Sequence, residues 1–187
     1  ETLVTPEMLL PENQSCMRLV GTDGKAKMSK SLGNCIYLSD TSKDIKKKVN
    51  SMYTDPEHLQ ITDPGHVEGN VVFAYLDAFC EPEHFSKFLP EYENLDAMKD
   101  HYRRGGLGDG TCKKFLFNIM EDFLQPMRER RAQYEQNIPL VYEILRKGSE
   151  TARAEAAKTL ADVRKAMKID YFDDADLIAE HTKKYQK

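Results

Sequence analysis

The sequence has no long apolar run, no excess of positive charge and no closely paired cysteines. Each lack excludes a class of protein. A membrane-spanning helix needs roughly 20 consecutive apolar residues, so no membrane partner is expected. The opening ETLVTPEMLLPENQS carries no secretory-leader pattern. It begins at Glu1 and reads as the middle of something, so the N-terminus is expected to be a cut. A net charge of −4 excludes a generally basic nucleic-acid coat, and any RNA contact must come from a local patch. Cys16, Cys35, Cys80 and Cys112 stand far apart with no C-x-x-C, and the five histidines are scattered. Neither a protein-bound metal nor an iron–sulfur cluster is therefore expected. Thiols of this kind fit a reducing cytoplasm.

What is present is a chain of 187 residues, 40% hydrophobic, which is long enough for one domain and a fragment of another. Residues 1–40 carry prolines at 6 and 11, short apolar pieces, and a Gly-Lys-Ser-rich stretch. They read as extended chain around a loop, the edge of an α/β unit. From Thr41 the signals are helical. Thr41-Ser-Lys-Asp44 resembles a capping box, followed by Ile45, Val49 and Met52 at helical spacing.

Thr54-Asp-Pro-Glu57 predicts a further helix start, and 61–69 reads as loop. Asn70–Cys80 is predicted as a short apolar helix, with Pro82 and Pro90 opening two more, the second reaching about Arg104. Gly105–Gly110 is predicted to be a helix cap and connector rather than a phosphate nest. Residues 111 to about 137 form a long helix that Pro126 should kink or divide. Helices over 138–147 and 151–168 follow, the second with a stripe at Ala152, Ala156, Leu160, Val163 and Met167 suited to close packing. The last fifteen residues are an amphipathic helix or a frayed tail. The expected fold class is mainly α, with a short non-helical N-terminal piece left from an α/β nucleotide-binding unit.

Residues 21–34 read GTDGKAKMSKSLGN. Lys27 and Lys30 lie three apart, with hydroxyls at Ser29 and Ser31, and glycines at 21, 24 and 33 let the backbone bend. Such a segment can hold phosphate through point charges, hydroxyls and backbone N–H groups. It lacks the G-x-x-x-x-G-K-[ST] arrangement of a P-loop. On charge alone a solvated basic loop is the simpler reading.

The string Lys27-Met-Ser-Lys-Ser31 resembles the KMSKS signature of class I aminoacyl-tRNA synthetases. The frame G-x-D-G…KMSKS-x-G-N resembles the tryptophanyl and tyrosyl branch. Ile36-Tyr-Leu-Ser-Asp40, Thr54-Asp-Pro56, Gly106-x-Gly-x-Gly110 with Cys112-Lys-Lys, and Pro126-Met-Arg-Glu-Arg-Arg131 resemble the tryptophanyl-tRNA synthetases in order and spacing, over residues 18–170.

The resemblance implies activation of tryptophan by ATP, with Mg2+ accompanying the nucleotide, and transfer to tRNA(Trp). It assigns 1–40 to the edge of the catalytic domain and 41–187 to a helical-bundle, anticodon-binding domain. It places Lys27 and Lys30 on the β- and γ-phosphates as catalytic residues, and Ser29 on a phosphate. Met28 supplies backbone and packing, and Ser31 completes the ATP-binding set. Gly24 and Gly33 are hinge candidates and Asp23 shapes the turn before the loop. Ser31 and Asn34 stay open between turn capping and a ligand role.

The H-x-G-H partner signature of the class is absent, so the chain alone is expected to be inert. Candidate tRNA contacts are Arg103, Arg104, Lys113, Lys114, Arg128, Arg130 and Arg131. They come from a stretch, 99–131, with eight basic residues against five acidic. A solvated helix face remains the simpler reading for each of them. The family forms homodimers, mostly through the nucleotide-binding half, which leaves room for this chain to be monomeric. Two other readings stay open: a tyrosyl-tRNA synthetase fragment, and a stand-alone RNA- or nucleotide-binding regulatory module.

Overall fold

A computed structural model of the chain describes residues 2–186. Among the described residues seven α-helices follow a 3-10 turn at Gln14–Cys16: α1 Ser42–Asn50, α2 Val71–Phe79, α3 Pro82–Phe88, α4 Leu95–Arg104, α5 Asp109–Glu135, α6 Ile138–Ala166 and α7 Ala175–Tyr185. The chain divides into two compact units. One runs from Leu10 to Gln133; the other joins the stretch up to Leu9 with the stretch from Tyr134 onward.

The core of the first unit follows from apolar spacing. Ile45 and Val49 of α1 are fully buried, as is Met52 just beyond it. Helix α2 is apolar on nearly every side and buries Val71, Val72, Phe73, Tyr75 and Leu76, so it sits at the centre. Met98 and Tyr102 of α4 and Phe115, Leu116 and Ile119 of α5 complete the core. Phe73 meets Tyr102 edge-on at 4.9 Å, and Phe85 meets Phe115 at the same separation. Each such side chain contributes about 1.5–3 kcal/mol when fully buried. The helix starts are capped by short polar side chains. Thr41 accepts from the Asp44 N–H, Asn70 from Val72 and Asn94 from Ala97. At the end of α4, Gly105 (φ +81°) closes so tightly on the 61–63 loop that a Cβ would lie 2.2 Å from the Thr62 carbonyl oxygen.

The fold-class expectation is corrected here. Among the described residues no strand forms; the one extended pairing is a single antiparallel bridge between Val20 and Lys27. An isolated two-stranded pairing is marginal without a sheet beside it, so residues 10–40 are held by side-chain bonds and by packing on the helices. Leu19, Val20, Met28 and Ile36 rest on the same core as α1 and α2. The compact unit that holds this core runs from Leu10 to Gln133. Helices α6 and α7, in the other unit, bury no residue.

Three local expectations also fail. No helix begins at Thr54, because Asp55 accepts the Glu57 and His66 backbone N–H groups and closes a turn. Residues 138–166 form one helix, not two. The Ala152–Met167 stripe is solvent-exposed apart from the half-buried Val163. Of the two outcomes expected at Pro126, division does not occur: α5 is one helix from Asp109 to Glu135.

Candidate functional site

The loop is built on two arms. The Met28 N–H donates to the Leu19 carbonyl at 3.2 Å, and Gly21 N–H to Ala26 at 2.7 Å. These bonds close the first arm into a tight turn through Thr22-Asp-Gly24, with Gly24 at φ +70°. The hydroxyl of buried Tyr75 in α2 donates to the Val20 carbonyl at 2.8 Å. The second arm returns through Gly33 (φ +66°), whose N–H donates to the Lys30 carbonyl at 3.1 Å.

The Asn34 side chain then spans both arms. It accepts from Ser29 N–H at 2.8 Å and donates to Asp23 at 3.2 Å and to the Lys27 carbonyl at 3.3 Å. The Lys25 N–H and then the Asn34 amide hold the Asp23 carboxyl below the usual carboxylate range. Asp23 thus shapes the turn before the signature.

Met28, Ser29 and Lys30 line a pocket of about 640 Å³ with Tyr37, Met127 and Arg131, and residues 35–39 form much of its floor. Ser29 Oγ and Ser31 Oγ lie 3.0 Å apart. Lys27 and Ser31 are exposed and lie outside the lining. The floor is pinned from below: Asp40 pairs with Lys48 and accepts the Tyr37 N–H at 2.8 Å. Arg128 donates to the Asp40 carbonyl at 3.4 Å and to Glu121 at 2.7 Å. A cavity lined by Ser29, Tyr37 and Ser39 with one lysine and one arginine suits an anion with several oxygens. Among the described residues no group of three or more His, Cys, Asp or Glu side chains converges to hold a metal ion.

The seven predicted tRNA residues do not form one patch. Arg103 is spent on Glu68 at 2.9 Å and Asp100 at 3.2 Å, and those carboxylates raise its pKa, Glu68 foremost. Arg104 and Arg130 are exposed. Half-buried Arg128 is a structural tie, and Arg131 belongs to the pocket. Lys113 and Lys114 lie near the start of α5, roughly 21 Å along the helix from Arg128. Lys113 donates to the Asn50 carbonyl at 2.9 Å. Lys114 shares a pocket of about 270 Å³ with Lys46, Asn50, Phe117 and Asn118, and the Lys46 ammonium stands 5.9 Å from the Phe117 ring centre. Sequence reading missed Lys46, Tyr37 and Met127, since only the fold brings them to these sites.

The sequence model of the family described as tRNA synthetases class I (W and Y) matches residues 2–125. The chain belongs to this family. The match runs through α1 to α4 and most of α5, so one family model spans both the signature loop and these helices where a separate helical-bundle fold class was expected. The curated relatives narrow the class. The tryptophan–tRNA ligase of Clostridium longisporum is 53% identical over 174 residues, covering 93% of this chain and 48% of that protein. That of Streptococcus pyogenes serotype M3 is 52% identical over 172 residues, with 92% and 48% covered. The chain thus spans about half the length of the curated relatives it matches. A solved tryptophanyl-tRNA synthetase from Campylobacter jejuni, complexed with ADP and tryptophan, superposes with a TM-score of 0.62 at 27% identity, covering 80% of this chain and 43% of that one.

Proposed function

We propose that this chain is part of a tryptophan–tRNA ligase, and that its KMSKS loop stabilises the pyrophosphate that leaves during amino-acid activation. The observation that carries this reading is the cavity on which Met28, Ser29 and Lys30 converge with Arg131. The substrates are tryptophan, ATP with its Mg2+, and tRNA(Trp). A carboxylate oxygen of tryptophan attacks the α-phosphorus of ATP. The bond from that phosphorus to the bridging oxygen breaks, and pyrophosphate leaves with the electron pair. Lys27 and Lys30 meet the charge that grows on this leaving group, Ser29 and Ser31 donate hydroxyl hydrogens to its oxygens, and Met28 contributes backbone and packing.

Residues 1–40 serve this catalytic step, while residues 41–187 carry the contacts to tRNA. Lys113 and Lys114 are the strongest tRNA candidates, because their neighbours Lys46 and Phe117 add charge and an aromatic face. Arg103, Arg104, Arg128, Arg130 and Arg131 would act as a diffuse positive field. The whole ligase works in the cytoplasm as a homodimer, and this chain alone activates no amino acid.

Tryptophan-dependent exchange of pyrophosphate into ATP tests the reading. Exchange is expected from a polypeptide joining this chain to the half its relatives carry, and none from the 187-residue chain. Exchange driven by tyrosine instead, or none from the joined protein, would overturn it.

A further inference from the structure

Asn34 is 3% exposed and every polar group of its carboxamide is used. The amide offers two N–H donors and one carbonyl acceptor. The donors go to Asp23 Oδ1 and the Lys27 carbonyl, and the acceptor takes the Ser29 N–H. Its backbone carbonyl also accepts from Thr22 N–H at 2.9 Å. One buried residue therefore touches the turn before the signature and two positions within it. The packing around it is close: a Cβ on Gly21 would lie 2.1 Å from the Asn34 amide nitrogen. Glycine at 21 is thus the space that lets this amide sit where it does. Asn34 is absent from the cavity lining, whereas Ser29, which it holds, and Lys30, the next residue, are both part of it.

We infer that Asn34 is a positioning residue that clasps the loop at Lys27 and Ser29, so that Ser29 and Lys30 meet a polyphosphate in one fixed register. The inference rests on the proposed phosphate role of the cavity. The clasp depends on polarity rather than shape. In Asn34→Asp the outline is unchanged, but a carboxylate oxygen replaces the amide nitrogen and faces both Asp23 Oδ1 and the Lys27 carbonyl, and the clasp opens by repulsion. Adding Asp23→Asn reverses the donor and acceptor across that contact and closes it again, at the cost of the Lys25 N–H bond to Asp23 Oδ1 and with the Lys27 carbonyl still unpaired.

The test uses the 187-residue chain, with inorganic pyrophosphate as probe and backbone amide NMR as readout. In the unsubstituted chain the Ser29 amide is slow to exchange, and pyrophosphate shifts the Ser29 and Lys30 signals. Asn34→Asp is expected to abolish Ser29 protection and weaken pyrophosphate binding roughly tenfold, with the melting of the helical core retained. The double variant recovers part of both. If Asn34→Asp does not fold, Asp23→Asn alone gives the second reading, with a smaller loss of affinity and of Ser29 protection. Pyrophosphate binding indifferent to Asn34→Asp, or a double variant no better than the single, overturns the clasp. No pyrophosphate shift in the unsubstituted chain instead overturns the phosphate role itself.

Discussion

The Tyr75 hydroxyl donates to the Val20 carbonyl across 2.8 Å, joining residues 55 apart in sequence. The ring of Tyr75 is fully buried in α2, and burial raises its phenol pKa far above the ordinary value. The central helix of the core is thus the footing of the signature loop. Tyr75→Phe keeps the ring packing and leaves the Val20 carbonyl unpaired. It is expected to cost about 1–2 kcal/mol, read from urea unfolding, and to quicken amide exchange at Met28. An unchanged urea midpoint would contradict this footing.

The two left-handed glycines of the loop should differ in cost. An alanine at Gly33 meets open space, so only backbone strain of about 1–2 kcal/mol applies. At Gly24 a Cβ would also stand 3.0 Å from Val71 Cγ2 and 3.4 Å from Tyr53 Cβ. Gly24→Ala is therefore expected to destabilise more than Gly33→Ala in the same urea titration. The reverse order would contradict the packing of that turn on α2.

Much of this was legible in the sequence, and what was not has physical causes. Ile45, Val49 and Met52 declared the buried face of α1 by spacing alone. Lys27-Met-Ser-Lys-Ser31 declared the family as a string. The Ala152–Met167 stripe showed which side of α6 is apolar, but periodicity does not say whether a partner is present. The expected split between 147 and 151 falls where Gly148 stands, yet one helical glycine costs only about 1 kcal/mol, and the flanking Glu143–Lys147 and Arg146–Glu150 pairs favour a continuous helix. Asn34 was left between a cap and a ligand, because its partners are loop atoms that only the closed turn brings together.

His66 and Asp55 give a pH signature. His66 Nδ1 lies 2.8 Å from Asp55 Oδ2, and Glu57 and Glu68 also face the ring. The Asp55 bond, then its charge, raises the His66 pKa. For Asp55, burial pushes upward, but the Glu57 and His66 backbone N–H bonds and the His66 ring outweigh it, and the pKa falls. The stabilisation from His66 is full below its unfolded pKa of ~6.5 and disappears as pH rises through the raised value. That from Asp55 is present above ~3.9 and disappears as pH falls through the lowered value. The pair is strongest between those limits. The stability difference between the unsubstituted chain and His66→Gln is expected to be larger at pH 6 than at pH 8.5, measured by urea midpoints. A difference that grows toward pH 8.5 would contradict it.

Thiol reactivity should follow burial. Burial pushes the Cys112 thiol up to about 12 and the Cys80 thiol to about 11, so neither offers much thiolate near neutral pH. Cys16 is exposed, and Cys35 is buried. Brief alkylation at pH 7.5 followed by peptide mass mapping is expected to mark Cys16 first and Cys112 last. Early labelling of Cys112 would mean that α5 opens readily.

The sharpest kinetic prediction concerns Lys30. Its carbonyl is fixed by the Gly33 N–H, so the backbone is set in a turn while the long side chain stays exposed at the cavity. The ammonium is therefore placed within reach, yet its rotamer freedom is spent only when a partner demands it. Pyrophosphate in bound ATP already carries charge, but the departing group gains more as its bond to the α-phosphorus breaks. An ammonium that closes late favours that second state. In the ligase of which this chain is proposed to be part, Lys30→Ala should lower the rate of adenylate formation by about 10²–10³, while ATP affinity falls by less than about threefold. Single-turnover kinetics at saturating tryptophan separates the two numbers. Losses of equal size in both would mean that Lys30 binds the ground state as strongly as the transition state. The loop would then be a nucleotide clamp with no part in the bond-breaking step.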